Sequence, residues 1–136
     1  MSNLSLNPYI FFRGTCREAM NFYKDIFGGE LTVQTYSEVK MGDEDQKDLI
    51  MHATLANESM SLMGSDTEKA SDKAAKISLS IGGSDEHALR SIFEKLSNGG
   101  DVYSELKKEF WGDIFGTVTD KYGIEWMVNI TPEDQN

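Results

Sequence analysis

The chain reads as an α+β protein in which one motif, strand–helix–three strands, is written twice. Three observations predict this. Two stretches carry apolar residues at the spacing of one helical face, and each is closed by a glycine pair, Gly28-Gly29 and Gly99-Gly100. The runs "KISLSI" and "GIEWMVNI" alternate apolar and polar residues with the period of two that a half-buried strand requires. The order of these elements is the same in both halves of the chain, so turns, caps and periodicity agree at two levels.

Taken in order, "NPYIFFR" (Asn7 to Arg13) is a β-rich run that Gly14 ends. Thr15 is placed to cap a helix, with Glu18 completing a capping box. Ala19, Phe22, Tyr23, Ile26 and Phe27 form its stripe. Strands are expected near 30–38, 48–57 and 59–65. After the polar connector "GSDTEKASDKAAK" the pattern restarts at Lys76, with Ile77, Leu79 and Ile81 as the apolar set. Ser84 is the expected cap of the second helix, whose stripe is Ala88, Leu89, Ile92, Phe93 and Leu96. Strands near 101–106, 114–119 and 124–130 complete the second half. The expected organisation is one domain over 1–136, with modules at about 7–66 and 75–131 and a linker at about 67–74.

Composition narrows the function classes. The 136 residues are 39% hydrophobic and 26% charged, as in an ordinary globular protein. Thirteen basic against 23 acidic residues give a formal charge of −10, which opposes nucleic-acid binding. No apolar run is long enough for a membrane span, and "MSNLSLNPY" lacks the features of a secretion signal. One cysteine, Cys16, precludes an internal disulfide, so a cytoplasmic location is expected.

The ordered set "NPYIFFRGTCREAMNFYKDIFGGEL", "IMHATL", "MSLMGSD" and "FWGDIFGTVTDKYGIEWMVN" resembles the PhnB-like branch of the vicinal oxygen chelate superfamily, which also holds glyoxalase I and the bleomycin-resistance proteins. The resemblance covers nearly the whole chain. It implies tandem βαβββ modules whose mixed sheets curl into a cup with the helices outside, a pocket in the concavity, and a homodimer. Superfamily metalloenzymes take metal ligands from the first and last strands of each module. Those positions map to Pro8, Lys76, Leu62 or Met63, and Met127. Proline and leucine do not ligate, lysine is cationic, and a thioether suits hard divalent ions poorly. No metal and no other cofactor is therefore expected, unless a register shift brings Glu125 inward beside His52. Relatives of this branch carry a methyltransferase label, but the chain lacks the glycine-rich nucleotide fingerprint of an α/β methyltransferase.

Strand alternation then selects candidates. In "GIEWMVNI", Glu125, Met127 and Asn129 oppose the apolar set, and Ser78 does so in "KISLSI". Ile50, His52 and Thr54 share one expected face. His52 and Glu125 are the candidate acid–base groups. Each has a structural alternative: His52 as a satisfied sheet histidine, Glu125 as the ion-pair partner of Lys76 or Arg13. Ligand-binding candidates are Trp111, Phe115, Phe12, Ser78, Met63, Met127 and Asn129, although Trp111 and Phe115 could equally cover a barrel mouth or a dimer seam. Cys16 opens the first helix, where the macrodipole can activate a thiol, although only Arg17 neighbours it. The acidic stretch 42–48 lacks calcium-loop spacing. Three functions remain: a metal-free dimer binding a small molecule, a lyase- or isomerase-type enzyme using Glu125 or His52, and a non-catalytic structural or regulatory dimer.

Overall fold

A computed structural model of the chain describes residues 7–38, 46–67 and 77–132. Lys76, most of the polar connector and residues 42–45 of the acidic stretch lie outside these. The chain divides into two compact units, Met1–Lys73 and Ala74–Asn136.

The first unit runs β1 (Tyr9–Phe12), α1 (Cys16–Phe27), β2 (Glu30–Thr35), β3 (Ile50–Ala56) and β4 (Ser61–Asp66). The second runs β5 (Ser78–Gly83), α2 (Glu86–Ser97), β6 (Asp101–Lys108), β7 (Ile114–Thr119) and β8 (Glu125–Ile130). Each forms a four-stranded mixed sheet of identical topology, β1-β4-β3-β2 and β5-β8-β7-β6. The first and last strands pair in parallel, and the remaining pairs are antiparallel. This is the α+β, tandem βαβββ architecture that the repeat predicts. No helix among the described residues is long and apolar enough to cross a membrane.

In the first unit α1 buries Cys16, Ala19, Met20 and Tyr23. The stripe is thus rotated toward Cys16 and Met20 from the expected one, and Phe22, Ile26 and Phe27 lie half-buried at its margin. Phe12 packs on this helix-covered side, where a Cβ at Gly64 would crowd its ring at 3.2 Å and touch the Cys16 sulfur at 3.6 Å. The expected capping box does not form: Thr15 makes no side-chain cap. Asp66, at the end of β4, takes over. Its Oδ1 accepts from the Gly14 and Cys16 amides at 2.8 and 3.0 Å, and its Oδ2 accepts from the Ile50 amide at 2.9 Å. A long-range carboxylate thereby satisfies the first orphan donor of the helix, the Cys16 amide, where the local Thr15 hydroxyl does not cap.

A β-bulge corrects a second expectation. Gln34 pairs with His52 but Thr35 pairs with Ile50, leaving Met51 as the extra residue. The bulge rotates Ile50 into the core beside Ala53 and Leu55, away from His52 and Thr54.

In the second unit α2 buries Leu89, Phe93 and Leu96 over Val118, Trp126, Val128 and Ile130. Its cap is Asp85, one residue later than expected, which accepts from the Ala88 amide at 3.1 Å. Ile77 precedes β5 and is 73% exposed, so it does not pack beneath the helix with Leu79 and Ile81 as the alternation suggested. Asp120 closes the β7–β8 turn: its Oδ1 accepts from the Tyr122 and Ile124 amides, and its Oδ2 from the Trp126 indole at 2.9 Å.

The rotated stripe has a measurable consequence. Met20→Ala should cost about 2–5 kcal/mol, as for a fully enclosed methionine, with Phe22→Ala costing distinctly less than the ~3–5 kcal/mol of an enclosed phenylalanine. Urea unfolding of the two variants checks the order.

Candidate functional site

Each sheet has one face under its helix and one face turned away, and the second face collects the polar and aromatic candidates. On β8, Trp126, Val128 and Ile130 are buried while Glu125, Met127 and Asn129 point to the other side. On β7 the same division leaves Phe115, Thr117 and Thr119 on that side. Register then assembles rows across the strands. Glu125 lies between Ser78 and Thr119, Met127 between Ser80 and Thr117, and Asn129 between Gly82 and Phe115. Lys107 on β6 extends the last row beyond Phe115.

Within this face the Ser78 hydroxyl donates to Glu125 Oε1. Glu125 itself is exposed. The Asn129 amide donates to Asp113 Oδ2 at 2.9 Å and to the Thr131 hydroxyl at 3.3 Å. Asp113 belongs to a tight turn closed by bonds from the Glu109 amide to the Asp113 carbonyl and from the Gly112 amide to the Glu109 carbonyl. That turn presents Trp111, 51% exposed, with its ring 6.2 Å from Phe115 and 5.0 Å from Phe110. Phe115 itself is on β7. Six of the candidates, Ser78, Trp111, Phe115, Glu125, Met127 and Asn129, are therefore gathered on or beside one sheet face.

His52 and Met63 occupy the corresponding face of the first unit. The Tyr9 hydroxyl is 3.0 Å from His52 Nδ1, and the Thr54 hydroxyl is 3.1 Å from Nε2. With both ring nitrogens engaged, His52 holds one orientation in either tautomer. Met63 pairs with Tyr9 on one side and Thr54 on the other, and Phe11 stacks on Tyr9 at 5.2 Å. Phe12, on the helix side and 5% exposed, does not join this face. His87, on the first turn of α2, is exposed.

Alternation alone does not reveal Tyr9, Asp113 or Lys107 as members of these faces. Tyr9 is recognisable only through its contact with His52, and Lys107 only once the irregular register of β6 is known.

The donor set does not suit a hard divalent ion at the mapped positions. Leu62 is buried in the core, and Met63 and Met127 offer only sulfur. No three His, Cys, Asp or Glu side chains come together among the described residues. Cys16 is enclosed, and burial, with the Asp66 carboxylate adding to it, pushes its thiol up to about 12. At pH 8 it is thus a protonated core group, not a nucleophile.

Two mixed βαβββ sheets in tandem define the glyoxalase/bleomycin resistance/dioxygenase class of fold. A family enzyme of that description from Burkholderia phytofirmans superposes with a TM-score of 0.62 at 12% identity, covering 90% of this chain and 94% of its own. The profile of the family described as 3-demethylubiquinone-9 3-methyltransferase matches residues 5–129, and the chain belongs to this PhnB-like family. Protein YjdN of Escherichia coli K12 is 26% identical, covering 96% of this chain and 97% of its own. Protein PA1353 of Pseudomonas aeruginosa is 34% identical with a TM-score of 0.87, covering 96% and 100%. The PhnB protein of Bacillus cereus is 24% identical with a TM-score of 0.77, covering 94% and 100%.

The enclosed thiol predicts that Cys16 resists a thiol reagent at pH 8 in the native protein and reacts in denaturant. Stoichiometric labelling of the folded chain would contradict its burial.

Proposed function

We propose that this chain is a metal-independent small-molecule-binding protein, working as a homodimer, whose ligand lies on the uncovered face of the second unit's sheet. The observation that carries the reading is the row Gly82–Asn129–Phe115–Lys107 with Trp111 beside it. Phe115 and Trp111 supply apolar, planar surface. The Asn129 amide oxygen has no partner among the described residues and can accept from a ligand N–H. Lys107, likewise without a partner among the described residues, can take a ligand carboxylate or carbonyl. Gly82 puts no side chain beside Asn129, where a Cβ would crowd the Asn129 carbonyl oxygen at 3.1 Å, and Met127 and Thr117 form the adjoining wall. The resemblance implies the dimer, and the nearly bare Phe110 and Tyr103 side chains support a protein contact nearby.

Methyl transfer, the activity in the family's description, is not part of this reading. Neither strand-to-helix turn, Arg13-Gly14-Thr15 or Gly83-Ser84-Asp85, carries a nucleotide-binding fingerprint, and the sheets are mixed, not doubly wound. The Tyr9–His52–Thr54 chain favours a second reading, acid–base catalysis on the first unit's face.

One experiment addresses both. A library of planar amides and carboxylates is screened by thermal shift against the native dimer, and hits are titrated and followed for turnover. Trp111→Ala is expected to weaken binding by about 1–3 kcal/mol. Unchanged affinity would remove the aromatic wall and with it this site. Turnover abolished by His52→Gln would favour the enzyme instead.

A further inference from the structure

The other side of the second sheet holds a feature that the proposed site does not use. Strand β6 carries two register breaks. Val102 pairs with Val118 and Ser104 with Thr117, so one residue, Tyr103, is extra. Ser104 pairs with Thr117 and Lys107 with Phe115, so a second residue is extra before Lys107. Bulges on an edge strand bend it and raise its twist. They also reset the alternation, so that Val102 and Leu106 both return to the side facing α2 while Tyr103 is left 87% exposed.

The helix does not follow the bent strand. Phe93 is held over Gly116, where an added methyl group would meet its ring at 2.9 Å and the Leu106 amide and Ser104 carbonyl at 3.0 Å. Between α2 and β6 remains a cavity of about 420 Å3, within the ~300–1,000 Å3 range of small-molecule sites. It opens to the surface and is lined by the apolar Phe93, Val102 and Leu106, by Ser97, and by the exposed Arg90, Glu94 and Glu105. Arg90 pairs with Glu86 one turn back on the helix, its Nε donating at 2.8 Å. Glu94 and Glu105 have no polar partner among the described residues.

We propose that this cavity is a second binding site, separate from the uncovered sheet face, for an organic cation with a short apolar body. The alkyl part lies on Phe93, Val102 and Leu106, and the ammonium or guanidinium head sits between the Glu94 and Glu105 carboxylates. Charge complementarity selects the class, because Glu94 and Glu105 are unengaged while Arg90 is paired with Glu86, which leaves an excess of carboxylates around the cavity. The chain's charge of −10 adds a long-range attraction for cations and repels carboxylates. An alkanoate would have the Nη donors of Arg90 to bind but would lie against both remaining carboxylates.

The test uses hexylammonium and hexanoate, identical in apolar body and opposite in charge, titrated into the 15N-labelled full-length chain. Hexylammonium is expected to shift amides of 90–97 and 102–106 saturably, and hexanoate is not. Glu94→Gln with Glu105→Gln, both exposed and isosteric, should weaken hexylammonium by about tenfold or more, the scale of lost charge-assisted bonds. Trp111→Ala should leave that affinity unchanged. The same spectra report whether each variant is folded, and Glu94→Gln alone should give an intermediate loss. Equal binding of hexanoate, shifts confined to other segments, failure to saturate, or full affinity in the double variant would each overturn the proposal.

Discussion

Each sheet has four strands and a single helix, and everything functional in the molecule follows from that constraint. One helix covers one face. The faces under α1 and α2 are built from enclosed apolar side chains, among them Met20, Tyr23, Leu55 and Leu62 in the first unit and Phe93, Val118, Trp126 and Val128 in the second. Because side chains alternate strictly along a strand, the opposite face is free to carry Tyr9, His52 and Met63 or Phe115, Met127 and Asn129 at little cost to the core.

Two buried carboxylates hold these faces in register. Asp66 joins the start of α1, the start of β3 and, through its backbone carbonyl, the Tyr36 hydroxyl. Asp120 joins the β7–β8 turn to the Trp126 indole. Each carboxylate is compensated by several donors, the condition under which a buried charge is tolerated. Both terminate a strand beneath the face that carries the candidate site, so the core chemistry fixes where the exposed chemistry is presented.

Much of this was legible in the chain itself. The period-two runs in β5 and β8 and the glycine stops after both helices identify the repeat, and alternation on β8 places Glu125, Met127 and Asn129 together. What alternation misses has physical causes. A bulge at Met51 sends Ile50 to the core, and two more in β6 decide which residues face α2, yet a bulge leaves no periodic trace. Asp66 caps a helix fifty residues away in sequence from Cys16, a contact no local pattern encodes, and it displaces the expected Thr15 box. Phe12 illustrates the remaining difficulty: β1 is apolar on both faces, so composition alone does not say which of Phe11 and Phe12 is enclosed.

The proposed binding on side-chain and aromatic surface without a metal ion is open to a direct check, metal-dependent thermal stability. Chelator-stripped protein is melted with nickel, cobalt, zinc, manganese or magnesium in turn. A site saturated about a hundredfold above its Kd would add about 2.7 kcal/mol and raise the Tm by several degrees. No such shift is expected with any of the five. A clear shift that disappears in His52→Ala or Glu125→Gln would contradict it and make these two residues ligands of a metalloenzyme.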